Sequence, residues 1–274
     1  MAEDSSIVAK AQPETVALFV SDLHLQQAMP NTATAFFAFL AQHAVKTGQL
    51  YLLGDLFEYW AGDDDMETPF HQQVITALRQ VSDAGVALFW ICGNRDFLIG
   101  QRFAQACAMT LLPDPYALTL AGQHLVLSHG DAACTDDLAY MAFRTQVRDP
   151  AWQQGFLSQP LEARKKIIEG VRMGSRAAQR EKSAEIMDVN PQAITDLFDR
   201  TGASTMIHGH THRPAHHMHQ GRQRHVLSDW DLDRDGMSPR GDWLAMDGDG
   251  CITRHLVGKA VPAQDSSSAA RRLA

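Results

Sequence analysis

A chain of 274 residues, 45% hydrophobic and 20% charged, can bury a large core; this excludes a disordered polymer and favours one α/β domain with an insert. Its 24 basic against 32 acidic residues leave a net charge of −8, which argues against nonspecific nucleic-acid binding across the surface. The four cysteines form no CxxC pair, the start MAEDSSIVAK is acidic where a secretory signal is basic, and no apolar run approaches the roughly 18 residues of a membrane span. Reduced thiols in a cytoplasmic protein, with at most peripheral membrane contact, are therefore expected.

TVALFV at 15–20 reads as a buried strand that stops at SDLHL, and a helix over about 31–46 follows with Asn31 or Thr32 as its cap. QLYLLGD at 49–55 is the next strand. Thr68 and Pro69 open a helix over about 69–83 that Gly85 closes. VALFWICGNRD and HLVLSHGD repeat the pattern of an apolar strand running into polar residues. From about 132 to 188 the alternation gives way to a helical pattern, read as a cap insert. Asn190 and Pro191 start a further helix ended by Gly202, strand STMI delivers HGHTH, and the remainder reads as short antiparallel strands. The domain spans 15–258, with 1–14 and 259–274 as flexible tails.

Five strands thus end in SDLH, GD, GNRD, SHGD and HGHTH, and in α/β sheets ligands sit at the carboxyl ends of strands. Asp22, His24, Asp55, Asn94, His129, His208 and His210 collect there. Carboxylate, imidazole and amide donors without thiolate suit Mn²⁺, Fe²⁺ or Zn²⁺, and their number suffices for two ions with an aspartate bridge. Two cations roughly 3.5–4 Å apart activate a shared hydroxide and clamp phosphoryl oxygens. The chemistry indicated is phosphoester hydrolysis.

The ordered set SDLHL, GDLFE, GNRD, SHGD and HGHTH resembles the calcineurin-like metallophosphoesterase superfamily. That resemblance implies a four-layer αββα sandwich carrying a helical cap. It also implies one metal on Asp22, His24, Asp55 and His210 and another on Asp55, Asn94, His129 and His208, with His212 outside the set. Many relatives carry GNHD, whose histidine can act as a general acid; here Arg95 takes that place and suits charge stabilisation instead.

GDLFE, GNRDFLIG, CTDD after HGD, IMDVN and HGHTHRP together resemble the UDP-2,3-diacylglucosamine diphosphatase family of lipid A biosynthesis. Implied by it are hydrolysis of that substrate's pyrophosphate with two Mn²⁺ ions and peripheral attachment to the cytoplasmic face of the inner membrane. Arg95 and Asp55 are the implied catalytic residues. Substrate contacts are implied for Asn94, Arg95, Asp137, Ser175, Lys182 and His208, with Gln179 where the family often has asparagine. No nucleic-acid or protein partner is expected.

Apolar residues between 138 and 173 suit acyl chains, and Arg164, Lys165, Lys166, Arg172, Arg176, Arg180 and Lys182 suit anionic head groups. Asp63, Asp64 and Asp65 lack EF-hand spacing and read as a solvated loop. His216, His217, His219 and His225 read as decorating a solvent-facing hairpin. Asp131 is expected to support a metal ligand by hydrogen bonding, and Trp60 either borders the site or packs. The stretch 231–242 is more polar than a strand needs and has no function assigned by its sequence.

Overall fold

Alternation within the strands sorts the core into layers. In β1 (Thr15–Val20), Ala17 and Phe19 face one cluster of buried residues while Leu18 and Val20 face another. With a period of two, a strand buried on both faces must be apolar throughout. The computed structural model describes residues 14–181, 188–234, 236 and 238–258, with the backbone alone for 174–181.

Two sheets stack face to face. The first has the order β11-β10-β1-β2-β3-β4, formed by β1, β2 (Gln49–Leu52), β3 (Ala87–Ile91), β4 (Met109–Leu112), β10 (Asp242–Asp247) and β11 (Ile252–Leu256). The second has the order β5-β6-β7-β9-β8, formed by β5 (Tyr116–Leu120), β6 (Gln123–Leu127), β7 (Thr205–His208), β8 (Ala215–His219) and β9 (Arg222–Val226). Phe19, Tyr51, Leu53, Ile91, Leu125, Leu127, Ile207 and Leu244 fill the space between them. The outer face of the first sheet carries α1 (Pro30–Gln42), α2 (Pro69–Asp83) and α3 (Gln101–Cys107). The outer face of the second packs Val126 and Met206 against Ile194, Leu197 and Phe198 of α7 (Pro191–Thr201). This is the αββα order, and each fully buried large side chain in it contributes about 1.5–3 kcal/mol.

β1 to β4 run parallel, as do β6, β7 and β9, and six of these strands, β1, β2, β3, β6, β7 and β9, run into polar residues at their carboxyl ends. Between β6 and α7 lie α4 (Leu138–Val147), α5 (Pro150–Leu157) and α6 (Leu161–Glu181). Trp152, Phe156 and Ile168 of these helices join the cluster on the helix side of the first sheet, beside Trp60 and Leu98. Among the described residues, no helix is long and apolar enough to cross a membrane.

Several local expectations need correction. The first helix ends at Gln42, and neither Asn31 nor Thr32 caps it with its side chain. Asp233 does so from 200 residues away, accepting from the Asn31 and Thr32 N–H groups at 2.9 Å each. Its reach across the sequence hid the cap, since capping is ordinarily read from the preceding residue. Asp63–Asp65 are not a solvated loop. Asp63 accepts from the N–H groups of Gly100, Arg102 and Phe103 at the start of α3, while Asp64 and Asp65 pair with Arg164 and Lys165. Thr68, Asn190 and Gly202 do cap as their types dictate. The short α3, β4 and β5 were not anticipated, being five- and seven-residue elements or shorter with little period to read.

Candidate metal centre and cleft

The strand ends converge through backbone that few side chains tolerate. Asp22, His24, Asp55, His210 and His212 all have positive φ, between 47° and 68°, in the left-handed region. Such conformations cost roughly 1–3 kcal/mol each and persist only where surroundings enforce them. Here the Asp22 and His24 N–H groups donate to the Gly54 and Asp55 carbonyls at 3.1 and 2.9 Å. Glycine is required at two of the crossings: a Cβ on Gly93 would collide with the Asp55 carboxylate and amide, and one on Gly209 with Asp22 and Ser21.

Asp55 sits at the middle. One carboxylate oxygen lies 3.8 Å from His24 Nε2, and the other lies 3.7 Å from His129 Nε2 and accepts from the Arg95 N–H at 2.8 Å. On one side, Asp22 Oδ1 faces His24 Nε2 at 3.9 Å and His212 Nε2 at 3.3 Å, and the two imidazole Nε2 atoms are 3.2 Å apart. On the other, Asn94 Oδ1 stands 2.9 Å from His129 Nε2 and 2.8 Å from His210 Nδ1. Two clusters of donor atoms therefore share one carboxylate.

The imidazoles are oriented from behind. His129 donates from Nδ1 to the Leu53 carbonyl at 2.9 Å, so Nε2 is turned to the site. His24 faces Glu58 with Nδ1 at 3.1 Å, and Glu58 pairs in turn with Arg172. Burial works against the Glu58 charge, but His24 and the nearby guanidinium groups hold its pKa down at about 2.

The field at the centre is negative. Burial opposes protonation of His129, yet Asp55, Asp22 and Asp131 outweigh it and raise the pKa to about 9. Asp22 Oδ1 is buried with no well-directed hydrogen bond. A clustered set of oxygen and imidazole donors with surplus buried negative charge fits a divalent cation.

His208 is an expected ligand, and His212 is expected outside the set. His208 is fully buried, donates from Nδ1 to the Gly209 carbonyl at 2.9 Å and accepts at Nε2 from Arg224 at 3.1 Å. Both ring nitrogens have protein partners, and burial together with Arg224 lowers its pKa to about 3. His212, expected outside, points Nε2 at Asp22 and His24. β7 ends at His208, and the positive φ at His210 and His212 turns the chain over, so the three histidines do not line one strand face.

Two acidic residues escaped the sequence reading. Asp96, the last residue of GNRD, is fully buried and accepts from the N–H groups of Leu56 at 2.7 Å, Gly93 at 3.0 Å, Asp55 at 3.3 Å and Phe57 at 3.4 Å. It ties the GD and GN loops together; burial and Asp55 push its pKa up to about 7. Asp229 follows β9, whose parallel pairing with β7 makes its end a sixth contributor to the edge. Asp131 is expected to hydrogen-bond a metal ligand; its Oδ2 instead accepts from Tyr140 Oη at 2.6 Å and Arg144 Nε at 2.9 Å, fastening α4 beside the centre.

Beside the centre opens a cleft of about 150 Å³ lined by Arg95 and Asn94 at its polar end and by Phe97, Phe143, Trp152 and Val171 along its walls. Trp60 both borders this cleft and packs, stacking on Phe57 at 4.8 Å. Leu138, Ile167, Val171 and Met173 of the cap helices are exposed.

The basic residues of the cap are less available than composition suggested. Arg164 is buried against Asp64 and the Ala61 carbonyl, Lys165 pairs with Asp65, and Arg172 with Glu58. Lys166 is exposed. Asp137 caps α4, accepting from the Tyr140 N–H at 3.0 Å. Ser175 and Gln179 have only their α6 backbone described, as do Arg176 and Arg180, and Lys182 lies outside the described residues. In the β8–β9 hairpin, His216 and His217 are exposed, but His225 is buried and stacks on His216 at 4.4 Å, and His219 bonds Thr195 at 2.8 Å.

Comparison with known proteins agrees with this architecture. Residues 16–214 match the family model described as calcineurin-like phosphoesterase. A UDP-2,3-diacylglucosamine hydrolase from Aromatoleum aromaticum is 52% identical over 78% of this chain and 89% of its own length. Proteins of the same name from Tolumonas auensis and Edwardsiella ictaluri are 48% and 49% identical, over 79% and 78% of this chain and 89% and 84% of theirs. The chain belongs to the UDP-2,3-diacylglucosamine hydrolase family of calcineurin-like phosphoesterases.

Proposed function

We infer that the protein hydrolyses UDP-2,3-diacylglucosamine, with water, to UMP and 2,3-diacylglucosamine 1-phosphate. The observation that carries this reading is the juxtaposition of two donor clusters sharing Asp55 with an apolar cleft that starts at Arg95. The relatives' printed name supplies the substrate, and the protein is a metal-dependent hydrolase.

Two Mn²⁺ ions are the proposed cofactor. Asp22, His24, Asp55 and His210 would hold one, and Asp55, Asn94, His129 and His208 the other, with His212 outside the set. Bound metal of this kind supplies a hydroxide nucleophile at neutral pH and draws charge from phosphoryl oxygens. Asp55 offers one oxygen to each cluster, while the Leu53 carbonyl and Glu58 keep the Nε2 lone pairs of His129 and His24 turned inward. Arg95, always charged, stands at the cleft mouth to stabilise negative charge on the pyrophosphate as the P–O bond breaks. The departing group is a phosphate monoester, so no proton from this position is needed, which explains arginine where many relatives of the fold place histidine.

The apolar walls under the cap would take acyl chains, and exposed Leu138, Ile167, Val171 and Met173 support a peripheral seat on the inner membrane. The unit 15–258 is proposed as one domain carrying the helical cap. Turnover of UDP-2,3-diacylglucosamine by the Mn²⁺-loaded protein in ¹⁸O water, read by mass spectrometry, tests the reaction. Label in UMP is expected, from attack at the uridine-side phosphorus; label in the lipid phosphate would reverse the attack. No cleavage alongside ready turnover of a simple phosphodiester would reject the lipid substrate.

A further inference from the structure

A cap residue reaches down to the loop that carries Arg95. Arg148 closes α4 at its C-terminus and Asp149 caps α5, so Arg148 stands where two cap helices meet. From there its guanidinium extends to the end of β3: Nη2 donates to the Gly93 carbonyl at 2.9 Å, and Nη1 contacts Cys92 Sγ. Burial pushes the Cys92 thiol up to about 11, so the sulfur is a neutral partner. On the far side of the loop, Arg148 Cζ lies 5.5 Å from the centre of the Phe97 ring, a wall of the cleft. Asp131 Oδ2, 3.6 Å from Nη2, steadies the guanidinium from behind.

The other backbone groups of this loop are held from within it and from the loop after β2. The Gly93 N–H donates to Asp96 at 3.0 Å, the Arg95 N–H to Asp55 at 2.8 Å, and the Arg95 carbonyl accepts from the Trp60 N–H at 3.2 Å. The Gly93 carbonyl belongs to the peptide that leads into Asn94, and because that peptide is planar its orientation sets the direction in which Asn94 and Arg95 leave the strand. Val147 lines the cleft and Arg148 does not, so Arg148 acts through the loop rather than on a substrate. Arginine suits the place: one end of the planar fork serves a carbonyl, the other a sulfur, while its face covers an aromatic ring.

Resting on the hydrolytic reading above, we propose that Arg148 is a positioning residue that ties the Gly93–Phe97 loop to the cap and thereby holds Arg95 where negative charge develops on the pyrophosphate. The seating of the cap and the alignment of Arg95 then form one mechanical unit. Misplacement by an ångström from a change remote from the chemistry costs up to about 100-fold in rate, and the loss falls on kcat where the interaction matters only in the transition state.

The test is steady-state kinetics of the Mn²⁺-loaded wild-type, Arg148→Met and Arg148→Lys proteins on UDP-2,3-diacylglucosamine, with hydrogen exchange read by mass spectrometry over residues 92–98 and a thermal melt of each. Arg148→Met keeps length and contact with Phe97 but donates nothing. It is expected to lower kcat about 10- to 100-fold at unchanged KM, and to speed exchange over the loop about 10-fold or more while peptides from β1 and β6 keep their rates. Arg148→Lys, which keeps one donor, is expected to fall between. Wild-type kcat and exchange in a folded Arg148→Met protein overturn the proposal. So does a raised KM at constant kcat, which makes Arg148 a substrate contact, and so does a lowered melt with kinetics and exchange intact, which confines it to folding. Should Arg148→Met not fold, Arg148→Lys decides by the same readings. If the wild type leaves UDP-2,3-diacylglucosamine uncleaved, the proposed reaction fails by itself; exchange then decides the tie, with faster rates confined to the loop in Arg148→Met upholding it and equal rates overturning it.

Discussion

The strand-edge centre and the cap over it are built on opposite principles. At the centre, Asp55, Asp96, His129 and His208 are almost wholly buried, held by backbone hydrogen bonds and by glycines that leave no room for a Cβ. The cap is fastened mainly by side chains: Arg164 to Asp64, Lys165 to Asp65, Arg172 to Glu58, and Tyr140 and Arg144 to Asp131. It leaves Leu138 and Met173 largely in solvent. A metal centre needs atoms fixed to tenths of an ångström, and backbone contacts provide that; a lid over a lipid substrate needs an apolar face that can part from its base. The difference divides chemistry from substrate capture.

That division can be broken first at its centre. Asp55→Ala removes the shared carboxylate and should lower kcat/KM by on the order of 10³-fold or more, read by UMP release, because both clusters lose a ligand. Substantial turnover by that variant would remove Asp55 from its bridging place. His210→Ala and His212→Ala sharpen the contrast within one motif. The first should lose one bound Mn²⁺ in a metal titration and keep its metal-free melt; the second should keep both ions. Equal metal loss in both would erase the distinction drawn between them.

Asp96→Ala abandons four buried N–H groups and should cost about 3 kcal/mol or more in chemical denaturation, with Asp96→Asn milder because the amide oxygen still accepts. An unchanged midpoint for the alanine variant would deny it the role of joining the two loops. The smallest effects belong to the cap. Phe143→Ala should raise KM for a long-chain substrate up to about 10-fold with kcat nearly constant, since it removes apolar contact made equally before and during the reaction. A matching fall in kcat with unchanged KM would place Phe143 in the chemical step.

Much of the fold was legible because its strands are apolar on both faces and each runs into polar residues. β1, β2, β3, β6 and β7 announce themselves in this way, and Thr68, Pro69, Asn190 and Gly202 punctuate the helices. What stayed hidden acts over long sequence separations or through backbone sign. Asp233 caps a helix 200 residues earlier. Asp229 reaches the site because β9 pairs parallel with β7, where the sequence pattern reads only as short antiparallel strands. The directions taken by His210 and His212 depend on two left-handed residues, which a sequence of alternating histidines does not reveal. Composition likewise showed cationic residues in the cap without showing that Arg164, Lys165 and Arg172 were already paired.

The most direct measurement is a crystal structure of the Mn²⁺-loaded protein with anomalous scattering recorded for manganese. Two peaks on either side of Asp55 are predicted, one within coordinating distance of Asp22, His24 and His210, the other of Asn94, His129 and His208. A single peak, or a manganese coordinated by His212 in place of either histidine, would contradict the account.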